Sequence, residues 1–479
     1  MNILHTPLNL DVLKTSAPLD ERETNRLLEN EISDFKQKII VLDDDPTGTQ
    51  TVHDVFVYTD WSKETLLKAF QSPKPLFFIL TNSRSFSTEQ TKQVHQEIGA
   101  NILWAAKKTN QTFTLISRGD STLRGHYPLE TQVLRETLET NSDLIYHGEI
   151  ICPFFPEGGR FTLENIHYVK EGTKLIPAGE SEFAKDKTFG YQSSHLGEYV
   201  EEKSNGIYKK ENCIYISLEE VRTQDINGIT QKLLLADNFS KVIVNATTYT
   251  ELKVFMIAFI RATSLGKNFL IRSAAAFPKI IGMIPDMPLL KKEDVAHTTS
   301  PYGGLVIIGS HVKKTTQQLN ALQASSKDLT FIEFNVNTYF EADSSLELET
   351  SRIVKLCKEL ISKGKHVVIY TSRELKVPAS ANKDIILALS VEISKALTNV
   401  VKFLDVQPQF IIAKGGITSS DVATIGLGIE KAFVLGQIKS GIPVWETQEE
   451  SKFPHIPYII FPGNVGEVST LQEIVEELM

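Results

Sequence analysis

At 479 residues the chain is too long for a single hydrophobic core and is expected to divide in two or three. Its composition, 41% hydrophobic and 23% charged with a mean hydropathy of −0.11, belongs to a folded globular protein and excludes a disordered or fibrous one. With 50 basic against 59 acidic residues the net charge is −9, which argues against a nucleic-acid partner but leaves room for a small anion in a local arginine pocket.

Three distant cysteines, Cys152, Cys213 and Cys357, form no CxxC, so neither a zinc ribbon nor a disulfide framework is supported and a cytoplasmic location is expected. The first 30 residues carry Asp11, Asp20, Glu21 and Glu23 without the apolar stretch of a secretion signal. No window approaches 18 apolar residues, so no membrane span is expected.

In chain order, residues 1–35 read as an extension with a surface helix over 21–35. A strand follows at 39–42 and another at 76–81, after two prolines. Ser87 opens a helix with Gln90 in the capping-box position, and Val94, Ile98 and Ile102 repeat at four-residue spacing along it. Residues 112–117 form the third strand. Residues 143–208, rich in glycine, proline and aromatics, read as irregular loops and short antiparallel strands. Strand character returns at 241–245, a helix at 248–265 and a strand at 269–272. A connector spans 285–300. Beyond it, strands are expected at 305–308, 331–334, 366–370, 410–413 and 458–461, with a long amphipathic helix over 384–400. Alternation of this kind predicts an α/β fold of two doubly wound domains with mostly parallel sheets, 1–295 and 296–479, and a ligand cleft between them.

The first strand runs into Asp43, Asp44 and Asp45 and a Pro46-Thr47-Gly48 turn. Ligands of open α/β sheets bind beyond the carboxyl ends of strands, where these carboxylates fall. The plainer reading is an acidic turn in which Asp43 or Asp45 caps the bend. Two further strand ends carry Arg84, and Arg118, Asp120, Ser121 and Arg124. Carboxylates, hydroxyls and three arginines at one sheet edge suit a small polyhydroxylated acid, because guanidinium groups match carboxylates bidentately. Asp120 paired with Arg118 or Arg124 as a simple loop brace is the competing reading. Residues 152–160, ending in Arg160, are read as a packed crossover loop, and His126, His167 and His195 as ordinary hydrogen-bonded histidines.

In the second half, Gly309-Ser310-His311, residues 414–421 and residues 462–467 are glycine- and hydroxyl-rich loops after strands, each able to approach phosphate oxygens. GxxxxGK[ST] and a GxGxxG after a first strand are both absent, which disfavours a P-loop and a dinucleotide site.

With DDDPTGTQ at 43–50, SRGDSTLRGH at 117–126, CPFFPEGGR at 152–160, KGGITSSDVA at 414–423 and PGNVGE at 462–467, the chain resembles the four-carbon acid sugar kinases. The resemblance implies an N-terminal acid-sugar domain and a C-terminal nucleotide domain. It implies ATP-dependent phosphorylation, with Mg²⁺, of a threonate, erythronate or oxo-tetronate. It also implies Asp44 or Asp45 as the base and Arg84, Arg118, Asp120, Ser121 and Arg124 around the sugar acid. Ser310, Gly415, Gly416, Ile417, Thr418 and Gly463 would contact ATP. No metal ligands are assigned, and a homodimer stays open. An NAD-dependent hydroxyacid dehydrogenase and a non-catalytic acid-sugar-binding protein are the alternatives. Asp43 and Pro46 depart from the usual family pattern, where a small residue and an aromatic stand.

Overall fold

The computed structural model describes residues 6–14, 19–295, 300–325, 328–340, 345–374, 383–463 and 465–479. Residues 296–299 of the expected connector and Asn464 of the last glycine loop lie outside the described residues. The chain forms two compact units. One comprises Met1–Thr51 and Asp60–Pro285, the other Val52–Thr59 and Asp286–Met479. Both are α/β units built on mostly parallel sheets.

In the first unit seven parallel strands lie in the order Ile214–Ile216, Ser240–Val244, Gly148–Cys152, Phe269–Ser273, Phe113–Arg118, Lys38–Asp43 and Leu76–Leu80. The apolar runs behind most of them are what a sheet covered on both faces requires. The chain leaves Lys38–Asp43 toward one edge for Leu76–Leu80, then crosses back past it to Phe113–Arg118. Lys38–Asp43 is therefore the topological switch point, where a crevice opens at the carboxyl ends. Right-handed crossovers divide the helices between two faces. Thr88–Thr109 packs against Lys63–Gln71 and Leu129–Thr140, while Tyr249–Ser264 packs against Glu21–Ser33 and Ile226–Leu234. The expected capping box of Ser87 and Gln90 opens the first of these, and Ile98 and Ile102 on its inner face are fully buried.

The N-terminal extension is part of this unit. Asp20 caps the helix Glu21–Ser33, and Leu8–Asn9 pairs with Leu175 and Lys174 at the edge of a small antiparallel sheet. That sheet, Arg160–Leu163, Ile166–Glu171 and Lys174–Pro177, lies in the stretch expected to hold short antiparallel strands. The same stretch also supplies Gly148–Cys152 to the main sheet, which its composition did not signal.

The second unit repeats the logic. Five parallel strands run in the order Pro457–Phe461, Ile411–Lys414, Leu305–Ile308, His366–Thr371 and Leu329–Phe334. Leu305–Ile308 is the switch point here, flanked by a strand that comes after it on each side. Antiparallel strands Ile442–Thr447, Lys431–Lys439 and Val55–Tyr58 extend the sheet beyond Pro457–Phe461. No helix is long and apolar enough to cross a membrane among the described residues.

Register places Lys241 directly beside Glu149 on neighbouring strands, both fully buried and joined by an ion pair. The Lys241 ammonium also lies 3.8 Å from the ring centres of Tyr208 and Phe239. Removing one partner of such a pair costs more than removing both. Lys241→Met should destabilise the first unit by about 3 kcal/mol, and adding Glu149→Leu should recover most of that loss; urea unfolding of the two variants checks it.

Candidate functional site

The three loops that follow Lys38–Asp43, Leu76–Leu80 and Phe113–Arg118 emerge side by side, because these strands are parallel neighbours. Their charged groups interlock. Asp45 caps the short helical turn Pro46–Thr49, accepting the Thr47 amide at 2.8 Å, and also pairs with Arg84. Arg118 donates to Asp43 at 3.1 Å and stands 3.8 Å from Asp44. Asp120 receives Arg124 Nε at 2.7 Å, and Arg84 lies 3.8 Å away from it. From the next strand, Arg272 binds Glu130 and donates to Ser117 Oγ at 2.8 Å. Glu130 also accepts Ser83 Oγ at 2.6 Å.

Asp44 stands apart within this network. It is 2% exposed, and neither of its carboxylate oxygens accepts a hydrogen bond among the described residues. Buried carboxylates are normally satisfied, so one that accepts no hydrogen bond is a candidate for contact with a ligand. Burial pushes Asp44 up to about 6, with Arg84 opposing and Glu130 adding to the rise. Burial likewise lifts Asp43 to about 7 against the pull of Arg118. Burial would raise Asp45 and Asp120 too. For Asp45, Arg84 and Thr47 outweigh it; for Asp120, Arg84 and Arg124 do. Both therefore sit below the usual carboxylate range. Gly125 closes the loop at φ +130°, and a Cβ there would stand 2.9 Å from the Arg272 guanidinium. The position is restricted both by backbone conformation and by the arginine behind it.

In the second unit the loops after Leu305–Ile308, Ile411–Lys414 and Pro457–Phe461 gather at one sheet edge. They contain Ser310, then Gly415, Gly416, Ile417 and Thr418, then Gly463. Thr315 ties two of them together, its hydroxyl donating to the Gly463 carbonyl at 2.8 Å and lying 3.1 Å from Ser310 Oγ. A Cβ on Gly309 would fall 2.2 Å from Thr418 Oγ1, so only glycine lets these loops close on each other. The first two open onto a cavity of about 410 Å³ with Ile393 and Leu397 as an apolar wall. That volume suits a small organic ligand. The amides of Gly416, Ile417 and Thr418 open the helix Gly416–Asp421 and have no acceptor within it. Beneath the loop, Lys414 is fully buried, donates to the Pro462 carbonyl at 3.1 Å and lies 3.6 Å from the Phe461 ring centre; burial lowers it to about 7. Among the described residues no group of three His, Cys, Asp or Glu side chains could hold a metal ion.

The sequence-selected residues thus fall into two clusters, one in each unit. Asp44, Asp45, Arg84, Arg118, Asp120 and Arg124 meet in the first. Ser121 lies in the same loop, its carbonyl accepting from His167 Nε2 at 2.8 Å. The Asp120–Arg124 brace expected as the plainer reading forms. His126 bonds the Phe86 carbonyl and His195 caps a helix, so both have ordinary structural roles. Sequence reasoning missed Arg272 and Glu130. An arginine at the end of an apolar strand was the available signal for Arg272. Glu130, on a helix, had none.

Comparison with known proteins also divides the chain in two, with 52–59 counted in the first part. A sugar-binding N-terminal domain model matches residues 39–281, and a nucleotide-binding C-terminal domain model matches 305–471. No curated protein matches the chain. Among solved structures, Haemophilus influenzae protein HI1011, of a family of unknown function, is 16% identical with a TM-score of 0.60, covering 92% of this chain and 100% of its own. A Salmonella typhimurium LT2 protein is also 16% identical, with a TM-score of 0.61, covering 90% of this chain and 97% of its own. At such identity the likeness speaks for the fold alone. The paired domain models, covering most of the chain in this order, identify it as a member of the four-carbon acid sugar kinase family.

Proposed function

We infer that the protein is an ATP-dependent kinase that phosphorylates a hydroxyl of a four-carbon sugar acid such as threonate, erythronate or an oxo-tetronate. The observation that carries this reading is Asp44: a buried carboxylate whose oxygens accept no hydrogen bond among the described residues, at the switch point of a sugar-binding domain. Asp44 accepts the proton of the acceptor hydroxyl as it attacks. With a pKa near 6 it is mostly ionised at neutral pH yet basic enough to assist, as general-base catalysis requires. Asp45 is a poorer base, since Thr47 and Arg84 already occupy it. Its role is to hold Arg84. Arg84, Arg118, Asp120, Ser121 and Arg124 line the sugar-acid site and fix the hydroxyl against Asp44.

The second-unit cavity takes the nucleotide. The Gly416, Ile417 and Thr418 amides, with Gly415, Ser310 and Gly463 alongside, receive phosphate oxygens, and Ile393 and Leu397 cover an apolar face of the base or ribose. ATP supplies the phosphoryl group, and Mg²⁺, when bound, would neutralise charge on the phosphates. Positioning and charge stabilisation are the chain's contribution to such a transfer.

Release of ADP in the presence of ATP, Mg²⁺ and a panel of four-carbon sugar acids tests the reading; no release with any of them, at substrate saturation, would end it. Asp44→Asn should lower kcat by about 10²–10⁴-fold while Asp45→Asn loses less, measured in the same assay with the best acid.

The wild-type kcat/KM should fall as pH drops below about 6, the range in which Asp44 gains its proton. Stability should move the other way. The folded state raises the Asp44 pKa above its ordinary 3.8, so the ionised form is penalised in the fold. That penalty is complete above pH 6 and vanishes below about pH 4. Asp44→Asn should therefore stabilise the chain at pH 8, by on the order of 1–3 kcal/mol, and lose the advantage by pH 4; thermal melts at the two pH values check the sign.

A further inference from the structure

Every arginine expected to bind the sugar acid already has a carboxylate partner. Arg84 holds Asp45 and approaches Asp120; Arg118 holds Asp43 and approaches Asp44; Arg124 holds Asp120 and lies 3.8 Å from Asp186. Arg272, which the sequence did not select, holds Glu130. For any of them, a substrate carboxylate would have to share a guanidinium already committed to an internal carboxylate.

Arg160 is different. Among the described residues no carboxylate pairs with it, and its Nε is buried without a hydrogen-bond acceptor. Its position is nonetheless fixed. Its backbone amide and carbonyl both bond Phe155, at 2.9 and 3.1 Å, and its guanidinium stacks 5.4 Å from the Phe183 ring centre. Arg124 lies 5.1 Å from the same ring, so Phe183 links Arg160 to the cation that holds Asp120. Two further bonds bind the surrounding segment to the Asp120–Arg124 loop. His167 meets the Ser121 carbonyl at 2.8 Å, and Tyr191 donates to the Thr122 carbonyl at 2.7 Å. Arg160 is half-buried rather than sealed. Burial weakens its hold on its proton, with Asp120 opposing the fall and Arg124 adding to it.

We propose that Arg160 is the substrate's carboxylate anchor: a rigidly mounted, uncompensated guanidinium beside the Asp120–Arg124 loop that selects acids over neutral sugars. This deepens the sugar-acid reading and rests on it. An unpaired, partly desolvated guanidinium is costly in the free protein, and a planar carboxylate returns that cost through two parallel charge-assisted hydrogen bonds. A neutral polyol of the same length cannot. Arg84, Arg118 and Arg124 then keep their internal pairs and shape the hydroxyl-binding part of the site.

The test is calorimetric titration of the full chain with threonate and erythronate, and with threitol and erythritol, which lack the carboxylate. Arg160→Gln should weaken the preferred acid by about 100-fold while leaving polyol affinity unchanged, and Arg160→Lys should recover part of the loss. Because an uncompensated charge is removed and no internal ion pair is broken, the thermal midpoint of Arg160→Gln should not fall below the wild-type value. Wild-type acid affinity in Arg160→Gln overturns the proposal, as does an equal loss for acids and polyols. A wild-type chain that binds polyols as tightly as acids, or binds no acid, overturns the sugar-acid reading itself.

Discussion

The first unit is organised around charges that the sheet has taken out of water. Five carboxylates and five guanidinium groups crowd the carboxyl edge of its central strands: Asp43, Asp44, Asp45, Asp120 and Glu130, with Arg84, Arg118, Arg124, Arg160 and Arg272. Isolated charges would not survive there, so nearly all are paired, and the pairing dictates local structure. Asp45 both caps a turn and steers Arg84. Glu130 holds Arg272, whose guanidinium in turn leaves no room for a side chain at Gly119 or Gly125. Loops from four strands are thereby locked to one another through ionic groups, and a site of this kind holds its geometry before any ligand arrives.

Pairing within the cluster is incomplete in a particular way. Among the described residues Asp44 accepts no hydrogen bond and has Arg118 3.8 Å away, and Arg160 has no carboxylate partner. An unpaired buried charge lowers stability, and a fold retains one where function repays it. On the kinase reading the two correspond to the two ends of a sugar acid, a hydroxyl that must lose its proton and a carboxylate that must be matched.

The parallel strands were legible because strands buried on both faces are unbroken apolar runs. Leu305–Ile308 and Leu76–Leu80 could be read almost to the residue. Gly148–Cys152 was not, since Glu149 interrupts its run, and what makes that glutamate tolerable is Lys241, 92 residues along the chain. Lys431–Lys439 does alternate between buried and half-buried positions, but Gly436 and Gln437 blur the pattern, and its partner Val55–Tyr58 comes from far away in sequence. The same limit applies to the site. Asp44 and Arg84 announce themselves as charges after apolar runs. That Asp45 accepts hydrogen bonds while Asp44 accepts none depends on Thr47 and Arg84 bonding one and not the other, which adjacency in sequence cannot resolve.

The two units use electrostatics differently, and the difference follows from what each is proposed to hold. A sugar acid has a single fixed charge and several neutral hydroxyls, so recognising it takes full charges and directional carboxylates. A nucleotide carries several charges already shared with a divalent cation, so a wall of arginines would compete with the metal. Backbone amides suit it better, being partial charges at fixed positions that need no counter-ion when the site is empty. The second unit accordingly spends glycines where the first spends arginines. Gly309 and Gly415 bring main chain to the cavity, and the nearby Lys414 is turned toward the Pro462 carbonyl, its charge weakened by burial. Swapping the two strategies would fail on physical grounds: amides alone would not tell a sugar acid from a polyol, and a ring of buried arginines would be unstable without the carboxylates that would then repel a phosphate.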